Sequence, residues 1–176
     1  MNSSLSNKSI PIKIPEQPPS CTPRKIKTIS SSPVIENGPI TPEKAIAQYS
    51  SLLMPYEMEE ITEYNEIYYL GYPNIKKTRI SDFFDKMSPK DHISYRYEIL
   101  KILGSGNYGK VIEAYDYKLK TKVAIKILKH RMHSKREASA LILLNQNKCS
   151  NTIRGLNYFL FRSYACISFE LVGENL

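Results

Sequence analysis

The sequence predicts an α+β fold in which a mostly antiparallel sheet carries a single helix. Three observations in the second half of this 176-residue chain support that fold class. Alternating apolar and polar residues, rich in Val, Ile, Tyr and Phe, recur between residues 95 and 171, as in half-buried strands. A glycine-rich stretch joins the first two of these segments, which is typical of a hairpin. Ala138–Gln146 has helical character and separates the third segment from the fourth.

Five segments form the predicted sheet. They are Tyr95–Leu103, Val111–Tyr117, Lys122–Leu128, Ile153–Phe161 and Tyr164–Leu171. The chain order is therefore three strands, one helix and two strands.

A helical region precedes the sheet. Thr41 is a good N-cap, followed by proline at the first helical position and an acid in the first turn. Apolar residues then recur at spacings of three and four until Pro55, where we expect this helix to stop. Glu57–Leu70 predicts a second helix, and Ser81–Met87 a short one within a linker.

Charge divides the chain into three parts. Residues 1–40 are rich in Pro and Ser, and we expect a disordered basic tail there. Residues 41–71 hold one lysine and six acids, whereas residues 72–176 hold 19 Lys and Arg and nine acids. Residues 41–71 are too few to bury a core alone, so we expect them to dock on the basic module through apolar contacts and opposite charge. The predicted organisation is a tail at 1–40, a helical accessory segment and linker at 41–90, and the sheet module at 91–176.

Composition excludes several classes of protein. No run approaches the ~20 apolar residues of a membrane span, and Met1–Ile10 lacks the apolar stretch of a signal peptide. Three cysteines without CxxC spacing argue against disulfides or a zinc site, so we expect an intracellular protein of the cytoplasm, the nucleus or both. We do not expect nucleic acid as a partner, because the basic residues are scattered and accompany no recognition motif.

The glycine-rich stretch carries the chemistry. It reads Leu103, Gly104, Ser105, Gly106, Asn107, Tyr108, Gly109, Lys110, Val111, a GxGxxGxV run. GxGxxG can also open a dinucleotide-binding helix, but here a strand pattern follows, and this favours a hairpin that covers phosphates. Glycines without Cβ atoms let the backbone approach phosphate oxygens.

A lysine follows the glycine run at a spacing that suits a shared phosphate site. Lys126 lies fifteen residues after Val111 in the run Val-Ala-Ile-Lys, and Ala124 shares its face of the strand. The small Ala124 leaves room for an adenine ring, and Lys126 can reach the α- and β-phosphates. Together with the glycine run, this predicts an ATP site.

These motifs resemble the N-terminal lobe of a protein kinase, and the chain is similar to the DYRK family of dual-specificity tyrosine-phosphorylation-regulated kinases, class II branch. Thr41–Gly71 resembles the accessory segment of that branch, and Asp91–Glu98 the family's entry into its first strand. The resemblance implies a five-stranded antiparallel sheet with one αC-type helix. It also implies that Leu103, Val111 and Ala124 enclose the adenine, that the Glu170 carbonyl and the Val172 N–H bind its edge, and that Phe169 is the gatekeeper.

A kinase lobe also pairs its lysine with an acid on the αC helix. Glu137 is the acid available, but it lies only 11 residues after Lys126. Alignment on the leucine-rich run instead places Ala140 at that position. We assign Glu137 to the site and leave Ala140 as the alternative.

The sequence contains no catalytic-loop motif and no magnesium motif, so we assign no catalytic and no metal-binding residue. We therefore interpret the chain as the ATP-binding portion of a DYRK-like Ser/Thr and Tyr kinase that lacks the C-terminal lobe. We do not expect it to transfer phosphate by itself. In a full-length parent the resemblance implies Mg²⁺ with ATP, and protein substrates. The alternative is a non-catalytic, kinase-derived binding or regulatory module.

Overall fold

The structure is a computed structural model that describes residues 33–72, 80–129 and 153–173, together with Arg136, Ser139, Ala140 and Leu143. No helix within these ranges is long and apolar enough to cross a membrane.

A six-stranded antiparallel sheet forms the centre of the fold, with strand order β1-β2-β3-β4-β6-β5. The strands are β1 His92–Ile93, β2 Tyr97–Gly106, β3 Gly109–Asp116, β4 Thr121–Leu128, β5 Gly155–Phe161 and β6 Tyr164–Glu170. Five of them correspond to the predicted segments, and this confirms the fold class.

The sixth strand corrects the predicted number of five. β1 pairs with β2 through His92 opposite Glu98 and Ile93 opposite Tyr97. Between the two strands the backbone reverses at Ser94 and Tyr95, whose φ angles are 50° and 52°. Tyr95 therefore lies in a turn, although the continuous β-forming pattern had predicted it as the first residue of a strand.

One face of the sheet carries the main core. Ile99, Ile112, Ile125 and Ile127 are buried there against α3, the helix Phe83–Lys86. A single 3-10 turn, Ile80–Asp82, precedes α3, and together they confirm the short helix predicted in the linker. Within the described ranges, α3 therefore packs on one face, whereas the other face of β2, β3 and β4 borders a cleft.

Two helices lead up to the sheet. α1, Pro42–Tyr49, begins at the predicted cap, where the Thr41 hydroxyl accepts a hydrogen bond from the Lys44 amide at 3.4 Å. α2, Pro55–Glu60, begins at the proline that we expected only to end α1.

The prediction of a helix over Glu57–Leu70 is wrong beyond residue 63. A 3-10 turn, Ile61–Glu63, ends the helical part, and residues 64–70 are not helical but form bridges at Ile67 and Tyr69. The amides of Tyr68 and Tyr69 donate to the Tyr95 carbonyl at 2.9 and 3.0 Å. Residues 67–70 thus hydrogen-bond to Tyr95 and to residues 33–40, and these contacts override the helical spacing.

Residues 33–40 also correct the prediction of a tail disordered up to residue 40. Val34 forms a bridge with Tyr69, and Ile40 forms one with Ile67. Ile35 is buried in the cluster that the accessory segment forms. Residues 1–32 of the predicted tail lie outside the described residues.

The accessory segment docks on the sheet as its charge predicted. Arg162, in the turn between β5 and β6, donates from Nη2 to Glu57 Oε1 at 3.1 Å and to Glu60 Oε2 at 2.9 Å. His92 Nε2 lies 3.0 Å from the same Glu57 oxygen, and Tyr95 donates its hydroxyl to Glu60 Oε2 at 2.8 Å. The acids are carried by α2 and the arginine by the sheet, so this cluster joins the two parts of the chain.

The predicted helix Ala138–Gln146 falls largely outside the described residues. Ser139, Ala140 and Leu143 within it are helical, as predicted. Glu137 and the rest of that segment are not described.

Candidate nucleotide site

The glycine-rich run forms the β2–β3 hairpin. Gly106 pairs with Gly109, so Asn107 and Tyr108 make the turn, and Tyr108 is 77% exposed. Two register shifts in β2, between Ile99 and Lys101 and between Ile102 and Gly104, interrupt the ladder. Such bulges bend and twist a strand, so they change the direction of β2 before the hairpin tip.

The three glycines of the run have different surroundings. Gly109 has a φ of 147°, and a Cβ built there would overlap the Ile127 carbonyl oxygen and lie 3.2 Å from Leu128 Cα. A Cβ at Gly104 or Gly106 would meet no protein atom within 4 Å. The fold therefore requires glycine at 109, whereas at 104 and 106 glycine leaves the backbone open on its outer side.

Strand register places the other predicted residues beside the hairpin. Val111 is opposite Lys126 on β4. Ala124 is opposite Phe169 on β6, so the predicted gatekeeper adjoins the small residue assigned to the adenine. At the end of β6 the Glu170 amide donates to the Arg154 carbonyl at 3.1 Å. Val172 lies beyond that strand and is exposed.

These residues enclose a cleft of about 1020 Å³ on the face of the sheet opposite α3. Eight of the predicted site residues line it: Leu103, Gly104, Val111, Ala124, Lys126, Phe169, Glu170 and Val172. The others that are described belong to the hairpin tip and do not line it: Ser105, Gly106, Asn107, Tyr108 and Gly109. The predicted Glu137 lies outside the described residues.

A charged group that the sequence did not predict also lines the cleft. Glu113 lies on β3 and accepts from Lys122 Nζ at 3.0 Å and Lys101 Nζ at 3.1 Å. Period-two alternation from Val111 would have placed Glu113 on the cleft face. The two lysines are on other strands, and their approach depends on a register that the bulges in β2 set.

This carboxylate predicts a dependence of stability on pH. Hydrogen bonds from Lys122 and then Lys101 hold the pKa of Glu113 below its ordinary value of 4.5. The stabilisation is therefore present above pH 4.5 and is lost as the pH falls through the lower pKa of the folded state. In thermal melts from pH 3 to 7, we expect the melting temperature of the unsubstituted chain (the parent in every comparison with a variant) to fall more steeply below pH 4.5 than that of Glu113→Gln. Parallel acid limbs for the two proteins would contradict this expectation.

Within the described ranges, no group of three His, Cys, Asp or Glu side chains is placed to hold a metal ion. The described cleft has a backbone at Gly104 that a phosphate group can approach, a lysine cation at Lys126 and apolar walls. Such a combination suits a ligand with a flat apolar ring and an anionic tail.

An antiparallel sheet with a glycine hairpin beside a cleft that is lined by the strand lysine and alanine is the arrangement of the N-terminal lobe of a protein kinase. No family model matches the chain. Curated relatives do: the chain is 38% identical over 170 residues to dual specificity tyrosine-phosphorylation-regulated kinase 3 of Macaca fascicularis, a match to 86% of this chain and 30% of the relative. The Homo sapiens protein of the same name is 38% identical over 86% of this chain and 29% of its own length. The putative kinase 3 homolog of Drosophila melanogaster is 34% identical over 78% of this chain and 19% of its own length.

Over the segment that it covers, the chain belongs to the DYRK family of protein kinases. It spans about 30% or less of the length of these relatives. The family uses ATP and Mg²⁺ and acts on proteins.

Proposed function

We propose that this chain is the ATP-binding part of a dual-specificity protein kinase. One observation carries the proposal: Gly104 of the glycine run, Ala124 and Lys126 line a single cleft large enough for a nucleotide. The DYRK relatives support it, because protein kinases of that class use ATP as the phosphate donor.

Each end of the cleft has a distinct task in this proposal. Leu103, Val111 and Ala124 enclose the adenine, while the Glu170 carbonyl and the Val172 amide hydrogen-bond its edge. The Glu170 carbonyl is suited to this hydrogen bond because Glu170 is the last residue of β6 and its backbone is held in the sheet. Phe169 closes the inner end beside Ala124.

The phosphates lie at the hairpin end. The backbone at Gly104 and Gly106 approaches the oxygens without obstruction from a Cβ atom. Lys126 supplies a compact positive charge that orients the phosphates. In a full-length parent, Mg²⁺ bound with the nucleotide would add the charge neutralisation that phosphoryl transfer requires.

Transfer itself needs groups that these 176 residues do not include. The sequence has neither a catalytic-loop base nor a magnesium-binding Asp motif. Positioning and electrostatics supply nearly all of the rate in phosphoryl transfer. We therefore propose that this chain alone binds nucleotide without transferring its phosphate, and that Ser/Thr and Tyr phosphorylation is an activity of a longer protein.

Two substitutions test nucleotide binding. Ala124→Leu fills the adenine position, and Lys126→Met removes the phosphate-binding cation, so we expect each to raise the Kd for a fluorescent ATP analogue by roughly tenfold or more. The measurement is a fluorescence titration of the full chain with competition by unlabelled ATP. The matched control is Lys129→Met, which changes a lysine just beyond the same strand that does not line the cleft. Equal affinity for all four proteins would contradict the proposed site. A folded chain that binds no ATP would instead favour the non-catalytic binding module.

A further inference from the structure

Lys110, the strand residue that follows Gly109, lies on the face of the sheet opposite the cleft. Lys110 pairs with Ser105 in the β2–β3 hairpin. Consecutive strand residues point to opposite faces. Val111 therefore lines the cleft, while the Lys110 side chain lies on the face that α3 covers.

Lys110 contacts α3 in two ways. Its Nζ donates a hydrogen bond to the Phe84 carbonyl and lies 3.5 Å from the Asp85 carbonyl. The same Nζ is 4.9 Å from the centre of the Phe84 ring. The last carbonyls of a helix have no partner within the helix, so an ammonium group satisfies them and interacts favourably with their dipoles.

α3 is packed firmly against the sheet. Phe84 is only 5% exposed and stacks on Tyr164 of β6, with ring centres 5.1 Å apart. Phe83 meets Phe161 of β5 edge to face at 5.0 Å, and the Arg162 guanidinium lies 5.4 Å from the Phe83 ring. A contact with α3 is therefore a contact with the packed part of the fold.

The hairpin tip has few such fixed points among the described residues. Residues 102–108 are exposed. On the β4 side the Lys129 amide donates to the Tyr108 carbonyl at 3.2 Å, and Gly109 lies against Ile127. On the other side Lys110 makes the contacts to α3. The β2–β3 hairpin is therefore held between β4 and α3.

We propose that Lys110 is a positioning residue that sets the angle of the glycine hairpin over the cleft by tying it to α3. The linker then controls the phosphate-binding loop from the back of the sheet. Displacement of α3 would release the hairpin without any change in the cleft residues. The consequence for nucleotide affinity rests on the proposed function, whereas the tie between hairpin and linker does not.

Hydrogen exchange of the full chain without nucleotide tests the tie directly. In Lys110→Met the aliphatic stem is kept and the cation is lost, so we expect amides of residues 104–110 to exchange roughly tenfold faster. Amides of β4 and β6 should keep their rates within about twofold. Lys110→Arg retains a cation that can reach the α3 carbonyls and should restore slow exchange. Lys120→Met, which changes an exposed lysine in the turn at the other end of β3, is the matched control and should change nothing in the hairpin.

Three outcomes would overturn the proposal. The first is unchanged hairpin exchange in Lys110→Met. The second is equal acceleration by Met and Arg, which would show that side-chain shape and not charge matters. The third is uniform acceleration across the sheet, because Lys110 would then stabilise the whole fold and not the hairpin.

A second titration follows the consequence for the ligand. The Kd of the fluorescent ATP analogue should rise in Lys110→Met and return towards the parent value in Lys110→Arg. If the parent chain binds no analogue, the proposed function fails, while the exchange rates still decide whether Lys110 positions the hairpin.

Discussion

Replacing Arg162 with methionine should lower the free energy of unfolding by about 3–5 kcal/mol, the range for breaking a buried ion pair by removing one partner. The Arg162 side chain is 4% exposed and Glu57 is fully buried. Burial opposes the charge of Arg162, but hydrogen bonds and charges from Glu60, with Tyr56 and Glu57, raise its pKa above the ordinary value. Methionine fills similar space but leaves the acids of α2 without their guanidinium.

Urea unfolding of the full chain, followed by circular dichroism, measures this effect. The matched control is Lys118→Met, which breaks an ion pair between the same two parts of the chain at the surface. Lys118 and Glu66 are 2.7 Å apart, and their side chains are 47% and 46% exposed. Exposed pairs contribute about 0–1 kcal/mol, so this variant should resemble the parent.

A third protein separates the charge from the contact. Glu57→Gln and Glu60→Gln combined with Arg162→Met remove both signs of charge, so the triple variant should recover part of the lost stability. The cluster would not be the joint between the accessory segment and the sheet if Arg162→Met and Lys118→Met were equally mild. The same conclusion would follow if the triple variant were less stable than Arg162→Met.

The sequence alone predicts the sheet and the face that carries the cleft, because their signals are local. Alternating residues define five strands, and spacing places Lys126 and Ala124 on one face of β4. The small residue, the lysine and the glycine hairpin need no long-range information beyond the pairing of neighbouring strands. For this reason eight predicted residues meet at the cleft.

The parts that could not be predicted depend on distant residues. Arg162 follows a strand pattern and reads as an ordinary hairpin-turn residue, yet its partners Glu57 and Glu60 are about a hundred residues away. Residues 64–70 have a helix-compatible pattern, but hydrogen bonds to the Tyr95 carbonyl and to residues 33–40 decide their conformation. The contacts of Lys110 likewise depend on α3, and no local sequence pattern reveals where α3 lies.

Within the glycine run, we expect Gly109→Ala to be the substitution that most reduces the stability of the fold. Its φ of 147° is one that side chains other than glycine rarely adopt, and its Cβ would overlap the backbone of Ile127. Backbone strain costs about 1–3 kcal/mol, and the overlap adds to it, so we expect a loss of about 3 kcal/mol or more of stability in urea unfolding. The effect should include displacement of the hairpin from β4, visible as faster exchange of the Lys129 amide.

Gly104→Ala and Gly106→Ala are the matched controls, because a methyl group at either position meets no protein atom within 4 Å. Both variants should retain stability within about 1 kcal/mol, since alanine at a compatible backbone position is neutral or mildly stabilising. If the backbone approaches phosphate oxygens there, both should nevertheless bind the ATP analogue more weakly than the parent. Gly109 would then serve the fold and Gly104 and Gly106 the ligand. Equal losses of stability in all three variants would contradict that separation, because the run would then be a single structural turn with no face reserved for phosphate.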